Sequence, residues 1–316
     1  MPGNVKAATS TNEPSDQTEA EIPHMSLLTV PILLTGQLVR WVEYERGMHA
    51  RWMADVTGPS MHQVTDLVIA RRPARLYRPS ADAALPALVY LHGGGWVLGD
   101  IDCYDGVARR LAVACNTAVV SLGYRRAPEH PFPAALEDTV AAMEWLGAHG
   151  GEWGMDASRI GLAGDSAGGQ LAAAAGLRLA ASGGPRPALQ LLIYPALDLR
   201  DQRGYPDIMT RVLSLYLGSR ERTDGEVSPL LAPDLAGMPP TVIATAEHDV
   251  LHPQGEAFAA RLQDAGVAAT HLFGQGLQHG FLGQLGTVPA TADFLTAIGS
   301  EVRRILHEAP DAGLRA

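Results

Sequence analysis

A chain of 316 residues, 47% hydrophobic and 18% charged, can bury one large core, so one main domain with an accessory segment is expected. The formal net charge of -10 repels phosphate backbones and anionic headgroups, and no Lys/Arg-rich run overrides that average, which excludes nucleic acid as an expected partner. Lys6 is the only lysine, and Cys103 and Cys115 are the only cysteines, which removes Schiff-base, P-loop and S-x-x-K chemistry together with zinc and disulfide frameworks.

Residues 1–25 are polar and acidic, without the basic start and apolar run of a secretory signal, and are expected to be a disordered tail. The first apolar stretch, Leu27 to Leu34, is broken by Pro31 and falls short of the ~20 residues that a bilayer span needs. A cytoplasmic protein without stable membrane insertion is therefore expected. From Leu34 to Trp52 apolar residues fall at Leu34, Leu38, Trp41, Met48 and Trp52, which predicts an amphipathic helix within an N-terminal helical part over residues 26–60. After Gly58-Pro59, the extended runs His62 to Ile69 and Ala74 to Tyr77 predict a pair of antiparallel strands.

From Leu85 onward, apolar runs at Ala87–Leu91, Ala118–Leu122, Ile160–Ala163, Leu189–Tyr194, Thr241–Thr245 and Thr270–Phe273 alternate with helical stretches such as Ala134–Leu146 and Ala167–Ala181. Such alternation predicts an α/β architecture, a mostly parallel sheet with helices on both faces, spanning residues 61–316. Leu199 to Gly225 is charged and shows no strand pattern, so an insertion over the mouth of the sheet is placed at about residues 199–226.

Gly164-Asp165-Ser166-Ala167-Gly168 fits G-x-S-x-G, a pattern that chance alone produces in roughly one chain in seven of this composition. Its context adds weight, because a strand run precedes it and a helix run follows, which puts Ser166 on a sharp turn where only small flanking residues fit. A serine that merely caps a helix would explain Ser166 but neither glycine. His92-Gly93-Gly94-Gly95-Trp96 follows another strand run, and a glycine run there lets backbone N–H groups approach a substrate oxygen as half of an oxyanion hole that Ala167 N–H would complete. A serine nucleophile needs a histidine to take its proton and an acid to orient that histidine, in the chain order Ser, acid, His for this fold class. Asp249 and His279 each follow a late strand run and fill those places. Glu247 and His271 are the weaker rivals, since one is close to a strand end and the other lies within a strand. His248 and His252 flank Asp249, but no third ligand stands at a motif spacing and H-E-x-x-H is absent, so no metal is expected. His92 and His130 are expected to hydrogen-bond loops.

These residues together resemble the hormone-sensitive-lipase-like family, the bacterial family IV esterases. The marks are His92 to Gly95, Ala127 to Ala134, Gly164 to Gly169, Asp249 to Leu251 and His279 to Phe281, with further matches at Asp156 to Ile160, Tyr194 to Asp198 and Ser228 to Leu231. The resemblance implies an α/β-hydrolase fold that cleaves short- to medium-chain carboxylic esters through a covalent acyl-enzyme. Ser166, Asp249 and His279 would form the triad, Gly93, Gly94 and Ala167 the oxyanion hole, and Asp165 would lie beside the acyl pocket; Trp96 is a further expected substrate contact of this sequence. It also implies a helical cap built from the N-terminal helices and the insertion, frequent dimerisation, and no metal or organic cofactor. Gly123 stands where the family has Asp before Tyr124-Arg125, so a loop salt bridge is expected to be lost, and the cap insertion is shorter than usual. An amidase or deacetylase would use the same triad. A ligand-binding receptor on this scaffold would lack the histidine that His279 supplies here.

Overall fold

The computed structural model describes residues 32–200 and 204–307, so the tail expected over residues 1–25 lies outside the described residues. The chain divides into two compact units, residues 1–40 and 41–316, and the described part of the first is the start of one helix.

That helix, α1 (Ile32–Met53), forms where the apolar spacing predicts it, but its inward face is displaced by one residue. Val42 and Met53 are buried, whereas Met48 and Trp52 are 42% and 47% exposed. Polar side chains with partners explain the displacement. Arg46 faces inward, donating to the Val97 carbonyl at 2.9 Å and to both oxygens of Glu129 at 2.8 Å, and His49 meets the Tyr104 hydroxyl at 3.2 Å. A pattern built from apolar residues alone cannot register such groups.

Strands β1 (Gln63–Ile69) and β2 (Arg72–Arg78) form the expected antiparallel hairpin. Its two turn residues, Ala70 and Arg71, both take positive φ, which matches the twist of paired strands without help from glycine. The remaining strands are β3 (Leu85–Leu91), β4 (Ala118–Leu122), β5 (Met155–Asp165), β6 (Gln190–Ile193), β7 (Thr241–His248) and β8 (Ala269–Gln278). They run parallel to one another in an eight-stranded sheet of order β1-β2-β4-β3-β5-β6-β7-β8, with β2 antiparallel to its neighbours. Every residue of β3, β4 and β6 is buried, as continuous apolar runs covered on both faces require.

The covering helices are α2 (Asp105–Cys115), α3 (Ala134–His149), α4 (Ala167–Ser182), α5 (Asp207–Leu217), α6 (His252–Asp264) and α7 (Pro289–His307). α5 occupies the segment expected to be an insertion, which has no strand among its described residues. The loop after β4 holds an ion pair of its own beside Gly123. Arg125 bonds Asp138 and Glu137 of α3 at 2.9 and 3.2 Å, while a Cβ on Gly123 would press on Pro73 at 2.9 Å.

α2 and α7 cover one face of the sheet and approach closely at Gly299, where a Cβ would collide with the Ala114 carbonyl that Arg303 also bonds. Gly299→Ala should therefore cost about 1–3 kcal/mol by forcing the helices apart. Urea unfolding checks this, and a variant as stable as the parent would show that the contact yields freely.

Candidate active site

Strand β5 ends at Asp165 and helix α4 begins at Ala167, leaving Ser166 alone between them with φ 53° and ψ −114°. Positive φ is costly for a residue with a Cβ, and the surroundings hold it there: Ser166 N–H donates to the Ile193 carbonyl at 2.9 Å, and its carbonyl accepts from Gln170 N–H at 3.1 Å. The turn is tight enough that a Cβ on Gly168 would strike the Leu91 carbonyl and one on Gly164 the Gly168 carbonyl. The G-x-S-x-G pattern is thus a packing requirement that lifts the serine out at the strand end.

The structure brings Ser166, His279 and Asp249 into one chain of contacts. Ser166 Oγ lies 3.0 Å from His279 Nε2, and His279 Nδ1 lies 2.8 Å from Asp249 Oδ2. The Asp249 carboxylate can only accept, so Nδ1 carries the ring proton and Nε2 presents a lone pair to the serine hydroxyl. Asp249 is itself fixed, its other oxygen accepting Leu251 N–H at 2.9 Å, and its side chain is fully enclosed. The Tyr194 ring lies 4.9 Å from the imidazole, and Trp52 of α1 covers Gly280 and Gly283, the glycines just after His279. The rivals point elsewhere. Glu247 accepts Gly276 N–H at 2.6 Å, and His271 pairs with Thr245 Oγ1 at 2.8 Å. His252 faces Glu256 and Phe273, and no group of three potential metal ligands occurs among the described residues.

Two expected substrate-facing assignments need correction, those of Gly93 and Trp96, whereas Asp165 borders the cavity as expected. Gly93 N–H donates to Asp165 Oδ1 at 2.8 Å, so it is committed and unavailable to a substrate oxygen. The next two glycines, Gly94 and Gly95, line the cavity with Ser166 instead, both at positive φ. A Cβ on Gly94 would meet the Leu98 carbonyl at 2.6 Å, and one on Gly95 would meet Val212 at 2.5 Å. Trp96 is buried away from the cavity, stacked on Tyr216 at 4.5 Å with its Nε1–H on Gln170. Asp165 borders the cavity, but its carboxylate is taken by Gly93 N–H, by the Tyr90 hydroxyl at 2.6 Å and by the Tyr194 hydroxyl at 3.3 Å. Ala167 opens α4, and the first N–H groups of a helix have no partner within it, which leaves Ala167 N–H without an intrahelical bond beside the serine. Gly95 is the residue that the motif contained and sequence reasoning passed over. Tyr194 was present in the Tyr194-Pro195-Ala196 match, whereas nothing in the spacing of α1 pointed to His49.

His92 supports the glycine loop from below. Burial lowers its imidazole to about 3, so it is neutral, with Nδ1 against the Gly93 carbonyl at 2.8 Å and its ring stacked on Tyr124 at 4.4 Å. The cavity above Ser166 has a volume of about 240 Å³ and is walled by α1 through His49, Trp52 and Met53, and by α5 through Ile208 and Met209.

Burial pushes the Asp165 carboxyl up to about 6, against the pull of its hydrogen bonds to Tyr90, Gly93 and Tyr194. The unfolded chain releases this proton near the ordinary value of ~3.9. Below that pH both states hold the proton; between there and about 6 only the folded state keeps it, so this group lowers stability as pH rises through the window. Asp165→Asn removes that dependence. Between pH 4 and 6.5 the wild type should lose about 2 kcal/mol more than the variant in urea unfolding, and parallel losses would contradict the assignment.

Residues 88–283 match the profile of a family described by its alpha/beta hydrolase fold. The chain is 39% identical over 275 residues to a carboxylic ester hydrolase of Mycobacterium tuberculosis, covering 78% of this chain and 73% of that one. It is 35% identical over 253 residues to an ethyl acetate hydrolase of Pseudomonas putida, covering 73% and 79%. Among solved structures, an esterase of Pyrobaculum calidifontis superposes with a TM-score of 0.79 at 33% identity, over 84% of this chain and 93% of that one.

Proposed function

The chain belongs to the α/β-hydrolase-fold family that it matches, within the hormone-sensitive-lipase-like esterases, and from that premise we propose how its residues divide the work of cleaving a carboxylic ester. The protein is a carboxylic ester hydrolase. Ser166 is the nucleophile, His279 the general base and then acid, and Asp249 the group that orients and stabilises the imidazolium. The observation that carries this reading is the 3.0 Å and 2.8 Å contact chain from Ser166 through His279 to Asp249.

As Ser166 Oγ attacks the ester carbonyl, its proton passes to His279 Nε2, and the carbonyl oxygen becomes an oxyanion. N–H groups of Gly94, Gly95 and Ala167 stabilise that charge where it develops, a contribution worth roughly 10²- to 10³-fold in kcat per donor. His279 then gives its proton to the leaving alcohol, and the acyl group stays on Ser166. Water repeats the sequence with His279 again as base and frees the acid. His279 next to Ser166 also argues against a receptor without catalysis.

We read α1 and α5 as the cap, because both wall the cavity above Ser166. At about 240 Å³ the cavity suits a short acyl chain, below the usual range for drug-sized ligands. Among the described residues no helix is long and apolar enough to cross a membrane.

Ser166→Ala should reduce turnover of p-nitrophenyl butyrate on the order of 10⁶-fold and Asp249→Asn on the order of 10⁴-fold, with unchanged circular dichroism. Wild-type turnover by the alanine variant would refute the assignment. In the same assay butyrate should be cleaved faster than palmitate, and the ester faster than its matched anilide; the reverse order in the second pair would make the protein an amidase.

A further inference from the structure

The cavity above Ser166 is apolar along Trp52, Met53, Leu98, Ile208, Met209 and Leu282. Apart from Ser166 and His279, its polar side chains are Asp165, Tyr194, Tyr104 and His49. Asp165 and Tyr194 are bonded to each other, so neither has a role to spare. His49 and Tyr104 differ. Their hydrogen bond, Nε2 to hydroxyl at 3.2 Å, joins α1 to the segment just before α2 and ties neither residue to the triad.

The pair is held in place by stacking. The His49 ring lies 5.7 Å from Tyr104 at an interplanar angle of 29°, and Tyr104 in turn stacks on His92 at 5.3 Å. His49 also lies 5.6 Å from Trp52, which covers the loop of His279. The Tyr104 hydroxyl is close enough to the glycine loop that a Cβ on Gly93 would meet it at 3.1 Å. His49 and Tyr104 therefore border the path between the oxyanion donors and the cap.

Both groups are uncharged near neutral pH. Burial lowers the His49 imidazole to about 4 and raises the Tyr104 phenol well above its ordinary value. A neutral imidazole and a phenol can each donate and accept one hydrogen bond or more, and their mutual contact uses one donor and one acceptor. What remains is one donor and spare lone pairs in an otherwise apolar wall. This fits an uncharged hydroxyl or oxo group; a carboxylate would face the Asp165 carboxylate, and neither His49 nor Tyr104 offers a charge to an ionic group that has lost its hydration.

We propose that His49 and Tyr104 form a polar subsite that favours esters carrying an uncharged hydroxyl or oxo substituent on the limb that enters this cavity. The proposal rests on Ser166 being the nucleophile, and it adds a substrate class to that reading.

Matched substrates test it. The kcat/KM ratio of hydroxylated to plain ester is measured for p-nitrophenyl 3-hydroxybutyrate against butyrate, and for 2-hydroxyethyl against ethyl butyrate. The first pair places the hydroxyl on the acyl limb and the second on the alcohol limb. Wild type should favour the hydroxylated member of one pair by about 10-fold, since a site that bonds a substrate hydroxyl discriminates against its absence. Tyr104→Phe and His49→Leu, made separately so that each controls for the other's folding, should both bring that ratio toward one. Ratios near one for both pairs in the wild type, or a preference that survives both substitutions, would overturn the proposal. If the plain esters are cleaved in a Ser166-dependent way without a hydroxyl preference, the subsite alone is wrong; if Ser166→Ala cleaves them at the wild-type rate, the nucleophile assignment fails.

Discussion

The site depends on one buried carboxylate. Asp165, 3% exposed, accepts the Gly93 amide, the Tyr90 hydroxyl and the Tyr194 hydroxyl, and so ties together the ends of β5 and β3 and the loop after β6. By taking the Gly93 amide it sets the course of the glycine loop, and the next two residues, Gly94 and Gly95, reach the cavity. By holding Tyr194 it also holds the ring that lies against His279. Neighbours on both sides of the nucleophile thus share an anchor, which preorganises charge stabilisation before any substrate arrives.

That arrangement demands backbone contact in place of side-chain contact. A Cβ at Gly164 or Gly168 would strike main-chain carbonyls, and the loop glycines are crowded by Leu98 and Val212. Ser166 alone bears a side chain at positive φ on this turn, and the hydrogen bonds to Ile193 and Gln170 hold it there. Strain at the nucleophile and close packing around it are two sides of one geometry: the strand must end abruptly for Oγ to stand clear of the sheet and meet the imidazole.

Much of this was legible in the sequence, for physical reasons. Continuous apolar runs marked the strands because both faces of the sheet are covered, and β4 matched its expected bounds residue for residue. Ser166, Asp249 and His279 could be placed because each follows a strand end, where a parallel sheet must expose its chemistry. The errors share a cause. Motif reading counts the Gly93 amide as a free donor because it cannot register that Asp165, 72 positions away, already accepts its bond. Trp96 stands next to the glycines in the chain, yet its buried stacking partner, Tyr216, lies far along the chain on α5. The inward face of α1 escapes an apolar pattern because Arg46 and His49, polar by composition, are bonded inward. Long-range hydrogen bonds leave no periodic trace.

The most direct measurement is a crystal structure of the protein after reaction with a small alkyl phosphonate, whose tetrahedral phosphorus mimics the charged intermediate. The account predicts a covalent bond to Ser166 Oγ, a phosphoryl oxygen about 3 Å from the amide nitrogens of Gly94, Gly95 and Ala167, and Gly93 N–H still on Asp165. An adduct on another side chain, or a phosphoryl oxygen bound to the Gly93 amide with Asp165 released, would contradict it.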